Sequence, residues 1–157
     1  MSTIRGGTTA SVPRSPAQTL ATVVALGFVL VGVLGFIPGI TTQYDDMSFA
    51  GHSSDAQLLG IFEVSVLHNI VHLLFGAVGL ALARTPSGAV SYLIGGGAVY
   101  LVLWIYGLVV NKGSDANFVP LNSADDWLHF GLGVVMLAAG VALRSRTAHG
   151  PRVGRAS

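Results

Sequence analysis

Within residues 60–84, GIFEVSVLHNIVHLLFGAVGLALAR, an otherwise apolar run holds Glu63, His68, Asn69 and His72. Imidazole is the commonest metal ligand and the side chain that most readily passes a proton near neutral pH. A carboxylate or imidazole in an apolar phase is costly and marks a packing, relay or binding role. At about 100° per residue, His68, Asn69 and His72 share one stripe about 100° wide, and Glu63 points nearly opposite His72. A second group follows later in the chain. His129 lies four residues after Asp125 and three after Asp126, which puts all three on one helix face and suits an Asp125–His129 ion pair. The intramembrane polar cluster read from the sequence is therefore Glu63, His68, Asn69, His72, Asp125 and His129.

Three chemistries compete for this cluster. Acyl chains offer no hydrogen-bond partners, so the stripe must face other helices. The reading favoured here is that His68, Asn69, His72 and His129 hydrogen-bond to neighbouring spans and fix their register. A rival is a haem or metal site that uses His68, His72 and His129. Another is movement of a proton or small solute along Glu63, Asn69 and the histidines. No nucleophile–base–acid set, phosphate-cradling loop or cofactor motif is present. The expectation is a protein that is not an enzyme and carries no cofactor.

The elements that must position these residues are four apolar stretches. The 157-residue chain is 52% hydrophobic and 10% charged, with mean hydropathy +0.68. Soluble domains carry about 25% charged residues, and a chain this short cannot hide so much apolar surface from water. The absence of cysteine excludes disulfides, thiolate metal sites and a cysteine nucleophile. A net charge of +1 gives no case for nucleic acid. Hydropathy predicts helices at about 18–39, 55–83, 89–110 and 124–143. Each reaches the roughly 20 residues that cross a bilayer. The segment 1–17 reads as a disordered N-terminal tail and 144–157 as a basic C-terminal tail. The first helix is expected to be retained, since a signal peptide has a shorter apolar core and a small-residue cleavage site. Ser54–Gln57 (SDAQ) and Ser123–Asp126 (SADD) both read as capping boxes that start the second and fourth helices.

Basic residues orient the bundle. Arg5, Arg14, Arg84, Arg144, Arg146, Arg152 and Arg155, seven of the eight Lys and Arg residues, fall on one side of four spans, and Lys112 alone on the other. Both termini are then cytoplasmic. LHNIVHLLFGAVGLALAR echoes LHFGLGVVMLAAGVALR. His68 and His129 lie 16 and 15 residues before Arg84 and Arg144, about 23 Å along a helix, so they are expected at matched heights in two pseudo-repeated hairpins. Gly79/Ala83, Ser91/Gly95 and Ala138/Ala142 are small pairs at i, i+4 that suit close helix approach, and Gly95-Gly96-Gly97 reads as a packing site. Trp104, Tyr106 and Trp127 lie toward the outer ends of their helices, as an aromatic belt requires.

The segments GFIPG, FEVSVLHNIVHLLFGAVGL, GGGAVYLVLWIYGLVV and NFVPLNSADDWLHFGLGVVML, with the His68-Asn69-x-x-His72 core and Asn122, Ala124, Asp125, Leu128 and His129, resemble an uncharacterised family, domain of unknown function 4383. The resemblance covers about residues 18–143. It implies a small four-helix integral membrane protein, in a group found mainly in actinobacteria, with no established activity. The combined expectation is an all-α bundle of four transmembrane helices, N-in and C-in, in a bacterial plasma membrane. Its expected role is that of a non-enzymatic accessory or scaffold protein, with the lipid bilayer and other membrane proteins or further copies of itself as partners.

Overall fold

The computed structural model describes residues 13–147, with side chains to 144. Arg5, Arg146, Arg152 and Arg155, and most of both tails, lie outside the described residues or side chains. The fold is an all-α bundle of three long apolar helices and one shorter one. They are α1 (Pro16–Leu34), α2 (Val66–Leu82), α3 (Pro86–Val109) and α4 (Ser123–Thr147). Between α1 and α2 lies a small antiparallel sheet, in the order β1 (Thr41–Thr42), β2 (Gln57–Leu58), β3 (Phe62–Glu63).

Helix α1 starts earlier than hydropathy predicts, inside the expected tail. Ser15 accepts from the Gln18 N–H and the Gln18 side chain accepts from the Ser15 N–H, a reciprocal cap with Pro16 at the first helical position. The Gln18 carboxamide also donates to Ala83 O and Arg84 O, at 3.1 and 3.0 Å. It thus satisfies carbonyls that the end of α2 leaves open. Helix α1 ends at Leu34, five residues short of expectation. The Thr41 hydroxyl donates to Leu34 O and Gly35 O there, and Gly39, at φ +91°, turns the chain away.

The largest correction concerns the second helix, which begins at Val66 and not near 55. Ser54 does not cap a helix; its hydroxyl donates to Val64 O at 2.5 Å. Residues 57–63 form a hairpin whose turn holds Leu59 at φ +56° and Gly60 at φ +69°, with Gln57 opposite Glu63 and Leu58 opposite Phe62. Left-handed backbone at two consecutive residues cannot continue a helix. Ser65 is the true cap, accepting from the His68 N–H. The Val66 and Leu67 N–H groups donate to Ser48 O and Phe49 O, so the first connection closes the start of α2. Glu63 therefore lies on β3, outside the helical stripe.

Helix α3 begins at Pro86 under a Thr85 cap, so the tight turn after Arg84 is shorter than expected. Helix α4 is capped by Asn122, one residue before SADD. The Asn122 carboxamide oxygen accepts from Ala124 N and Asp125 N, and the Asp125 carboxylate accepts from Asn122 N. The helix continues past Leu143 to Thr147.

Packing follows two hairpins, α1 with α2 and α3 with α4. On α1, Ala17, Ala21, Ala25, Phe28 and Gly32 form the buried face. A methyl group at Gly76 would press on Ala25 O and Val29, and one at Gly79 on Ala25 and Tyr92. In the other hairpin Gly97 lies against Gly133 O and Leu137, and Gly140 against Leu93 and Ile94. Gly96 and Gly97 thus serve packing, as expected. Ser91 and Gly95 instead face outward, as do the side chains of Ala138 and Ala142.

Candidate functional site

The two long connections meet over one end of the bundle. Gly51 N donates to Phe118 O at 2.8 Å and the Asn122 carboxamide to Ile61 O at 2.7 Å. Asp125 ties them together, because its Oδ2 accepts from Glu63 N at 3.1 Å and Asn122 N at 3.0 Å. The anticipated Asp125–His129 ion pair is replaced by these backbone bonds. The neighbouring Asp126, also buried, pairs with Lys112 at 2.8 Å. Glu63 is half-buried on the same cap. Burial pushes its carboxyl up from the ordinary glutamate value and the nearby Asp55 adds to this, while Lys112 and His52 oppose it.

Beneath this cap the structure brings His68, His72 and His129 together. His68 and His129 are buried, at 5% and 4% exposure. The rings are held by aromatic packing from all four helices. His68 stacks on His72 with centroids 4.6 Å apart and 14° between planes, and His72 lies 5.8 Å from Phe28 of α1. Phe28 packs at 5.3 Å on Tyr100 of α3, whose ring meets His129 of α4 edge-on at 5.0 Å.

Hydrogen bonding between spans does not hold this cluster, contrary to expectation. His72 Nδ1 bonds within its own helix, to His68 O at 3.1 Å. The Nδ1 atoms of His68 and His129 are buried without a hydrogen-bond partner. Asn69 is fully buried, but its contact is with Met47 of the first connection, Nδ2 to sulfur at 3.9 Å, and its Oδ1 has no partner. The carboxamide lies over Gly35, where a methyl group would collide with it. The stripe does face inward, fixed by ring contacts and, at His68, by hydrogen bonding to the backbone of Pro120 and Glu63 in the cap.

Two cavities flank the histidines. One, of about 120 Å³, is lined by Val31, Leu34, Leu58, Phe62, Val64 and Leu128 among its apolar residues, with His68, His72, His129 and Asp125 as its polar ones. The other, of about 80 Å³, lies toward α3, and the same three histidines share its wall with Val71, Tyr100, Leu103 and Val119. Both are small against the roughly 300–1,000 Å³ of pockets that enclose drug-sized ligands. Among the described residues no group of three His, Cys, Asp or Glu side chains is placed to hold a metal ion.

Several contributors escape a sequence reading. Phe28 looks like any apolar residue of a span. Tyr100 carries a weak signal, a phenol in the middle of an apolar helix. Asn122 is visible as a cap-type residue, but Ser123 offers the same chemistry one position later. Toward the end of α3, Trp104 packs on Phe130 at 4.7 Å and Tyr106 donates to Ala116 O, while Trp127 is exposed as an aromatic anchor would be.

Helices of this length and apolarity, packed through glycines and carrying a sequestered polar cluster, define a small α-helical membrane protein. The family model described as Domain of unknown function (DUF4383) matches residues 18–142, and the chain belongs to that family. No curated protein and no solved structure matches it.

Proposed function

We propose that the protein is a non-enzymatic accessory or scaffold component of a bacterial plasma membrane, crossing it four times with both termini cytoplasmic. The distribution of arginines supports the orientation. The cap carries the accessory reading. Gly51–Phe118, Ile61–Asn122 and Glu63–Asp125 bonds join two connections into one body that presents exposed Phe49, Leu59, Ile61 and Phe118. Large apolar side chains on an ordered cap suit contact with another membrane protein or a second copy.

The chain has no cysteine, so single-cysteine variants give clean topology. Asp45→Cys and Ser114→Cys should react with an impermeant maleimide in intact cells, and Ser87→Cys only after permeabilisation. For the accessory role, a photoreactive residue at Phe49 or Phe118 should capture one and the same protein, and one at lipid-facing Val102 should not. Lipid adducts alone at Phe49 and Phe118 would remove the reading.

The two cavities that meet at His68, His72 and His129 favour a second reading, proton or small-solute movement. Proteoliposomes under a pH gradient test it: flux must exceed that of empty vesicles and fall in His68→Ala.

A further inference from the structure

The seam between the two hairpins, where α1 passes α4, is open. A groove of about 270 Å³ runs along it, lined by Val24, Gly27, Phe28, Val31, Leu128 and Leu132. A methyl group added at Gly27 would meet nothing within 4 Å. Val31 and Leu128 also line the 120 Å³ cavity, so the lipid-facing groove and the histidine chamber share these two side chains as a common wall. From Val24 to Val31 it follows about 10 Å of helix. The groove is apolar; the chamber ends at two buried imidazoles with unpartnered Nδ1 atoms and at the Asp125 carboxylate. Buried polar atoms without partners are expensive, and a ligand that supplies both donors and acceptors relieves that cost.

We propose that this is a lateral binding site for a single-chain amphiphile with a small, uncharged, hydroxyl-bearing head, of the monoacylglycerol type. The chain lies in the α1–α4 groove and the hydroxyls reach His68, His129 and Asp125. Charge selects the head. No Lys or Arg lines the groove or either cavity, and a carboxylate lines the chamber, so phosphate or carboxylate heads meet no compensating cation. Size selects it too: 120 Å³ admits a few heavy atoms in place of several water molecules. The site stands independently of the accessory role.

The test uses the full chain in phosphatidylcholine nanodiscs with a monoacylglycerol that carries a diazirine in its acyl chain. Labelling should saturate at one adduct per chain, map to Val24–Val31 and Leu128–Leu132, and be displaced by unlabelled monooleoylglycerol at least tenfold better than by oleate or monooleoyl phosphatidic acid. Gly27→Phe, which projects into open space, should cut labelling about tenfold. Gly95→Phe, at an equally open position on α3, should leave it unchanged. His129→Leu should erase the preference for the uncharged head. The map on the parent chain decides even if a variant fails to fold. Labels spread over all outward faces, including Val99 and Val102, overturn the site, and equal displacement by the acidic lipids overturns the proposed head.

Discussion

Asp125 does more at its position than its chemistry alone suggests. It closes the cap of α4 and holds β3 through one oxygen, while nearly inaccessible to solvent. Asp125→Ala leaves the Glu63 and Asn122 N–H groups without that acceptor, at a cost of about 1–3 kcal/mol. Reversible unfolding in detergent should show this as a lower midpoint. Glu63 gives a pH signature. Its carboxyl is raised, so the folded state holds the proton more tightly than the unfolded one. The associated stability is present below the ordinary glutamate value and is lost as pH rises through the raised one. Glu63→Gln should therefore match the parent at low pH and be more stable above the raised value, as seen by following thermal midpoints across pH. That Asp125 is important was legible, because an aspartate at the head of an apolar helix is either a cap or a partner. Its bond to Glu63 N was not, since it depends on a hairpin 62 residues earlier in the chain.

Helices and their faces were the most legible elements. Four apolar runs follow directly from composition, and the stripe of His68, Asn69 and His72 turns inward because lipid offers it nothing. The start of α2 was not legible. Ser54 and Ser65 carry the same capping hydroxyl, and only the backbone of Ser48 and Phe49, folded over Val66 and Leu67, selects the second. The partners of the histidines were also hidden, because Phe28 and Tyr100 act through ring geometry. One device recurs in both hairpins. Near the capped end, a polar side chain of the second helix lies over a glycine at or just past the end of the first, Asn69 over Gly35 and Asp126 over Gly107. The two residues are not equivalent in the Leu-His echo, since Asn69 follows His68 by one residue and Asp126 precedes His129 by three. Gly35→Ala should destabilise the fold by about 1–3 kcal/mol through overpacking. Asn69→Ala should remove most of that penalty, and a double-mutant cycle on unfolding free energies should show the two positions strongly coupled.

Across the whole molecule, the cap behaves as one unit because the connections bond to each other as well as to their own helices. Hydrogen exchange should show this. The Gly51, Val66 and Leu67 amides should be protected together, and Asn122→Ala, which breaks the link to Ile61 O, should speed exchange in the first connection as well as the second. The 17 residues of α2 span about 26 Å, while the 24 of α3 span about 36 Å. Hydrocarbon about 30 Å thick is therefore too deep for one and too shallow for the other. The β2–β3 hairpin precedes the start of α2 and belongs to the cap, so it adds no helical length on that flank. Under the proposed four-span topology, α2 is matched by thinner lipid and α3 by tilting or by thicker lipid, so the mismatch changes sign around the bundle. Its melting temperature should then peak at an intermediate acyl-chain length and fall with shorter or longer chains, and in sheets with coexisting thin and thick regions it should collect at their border.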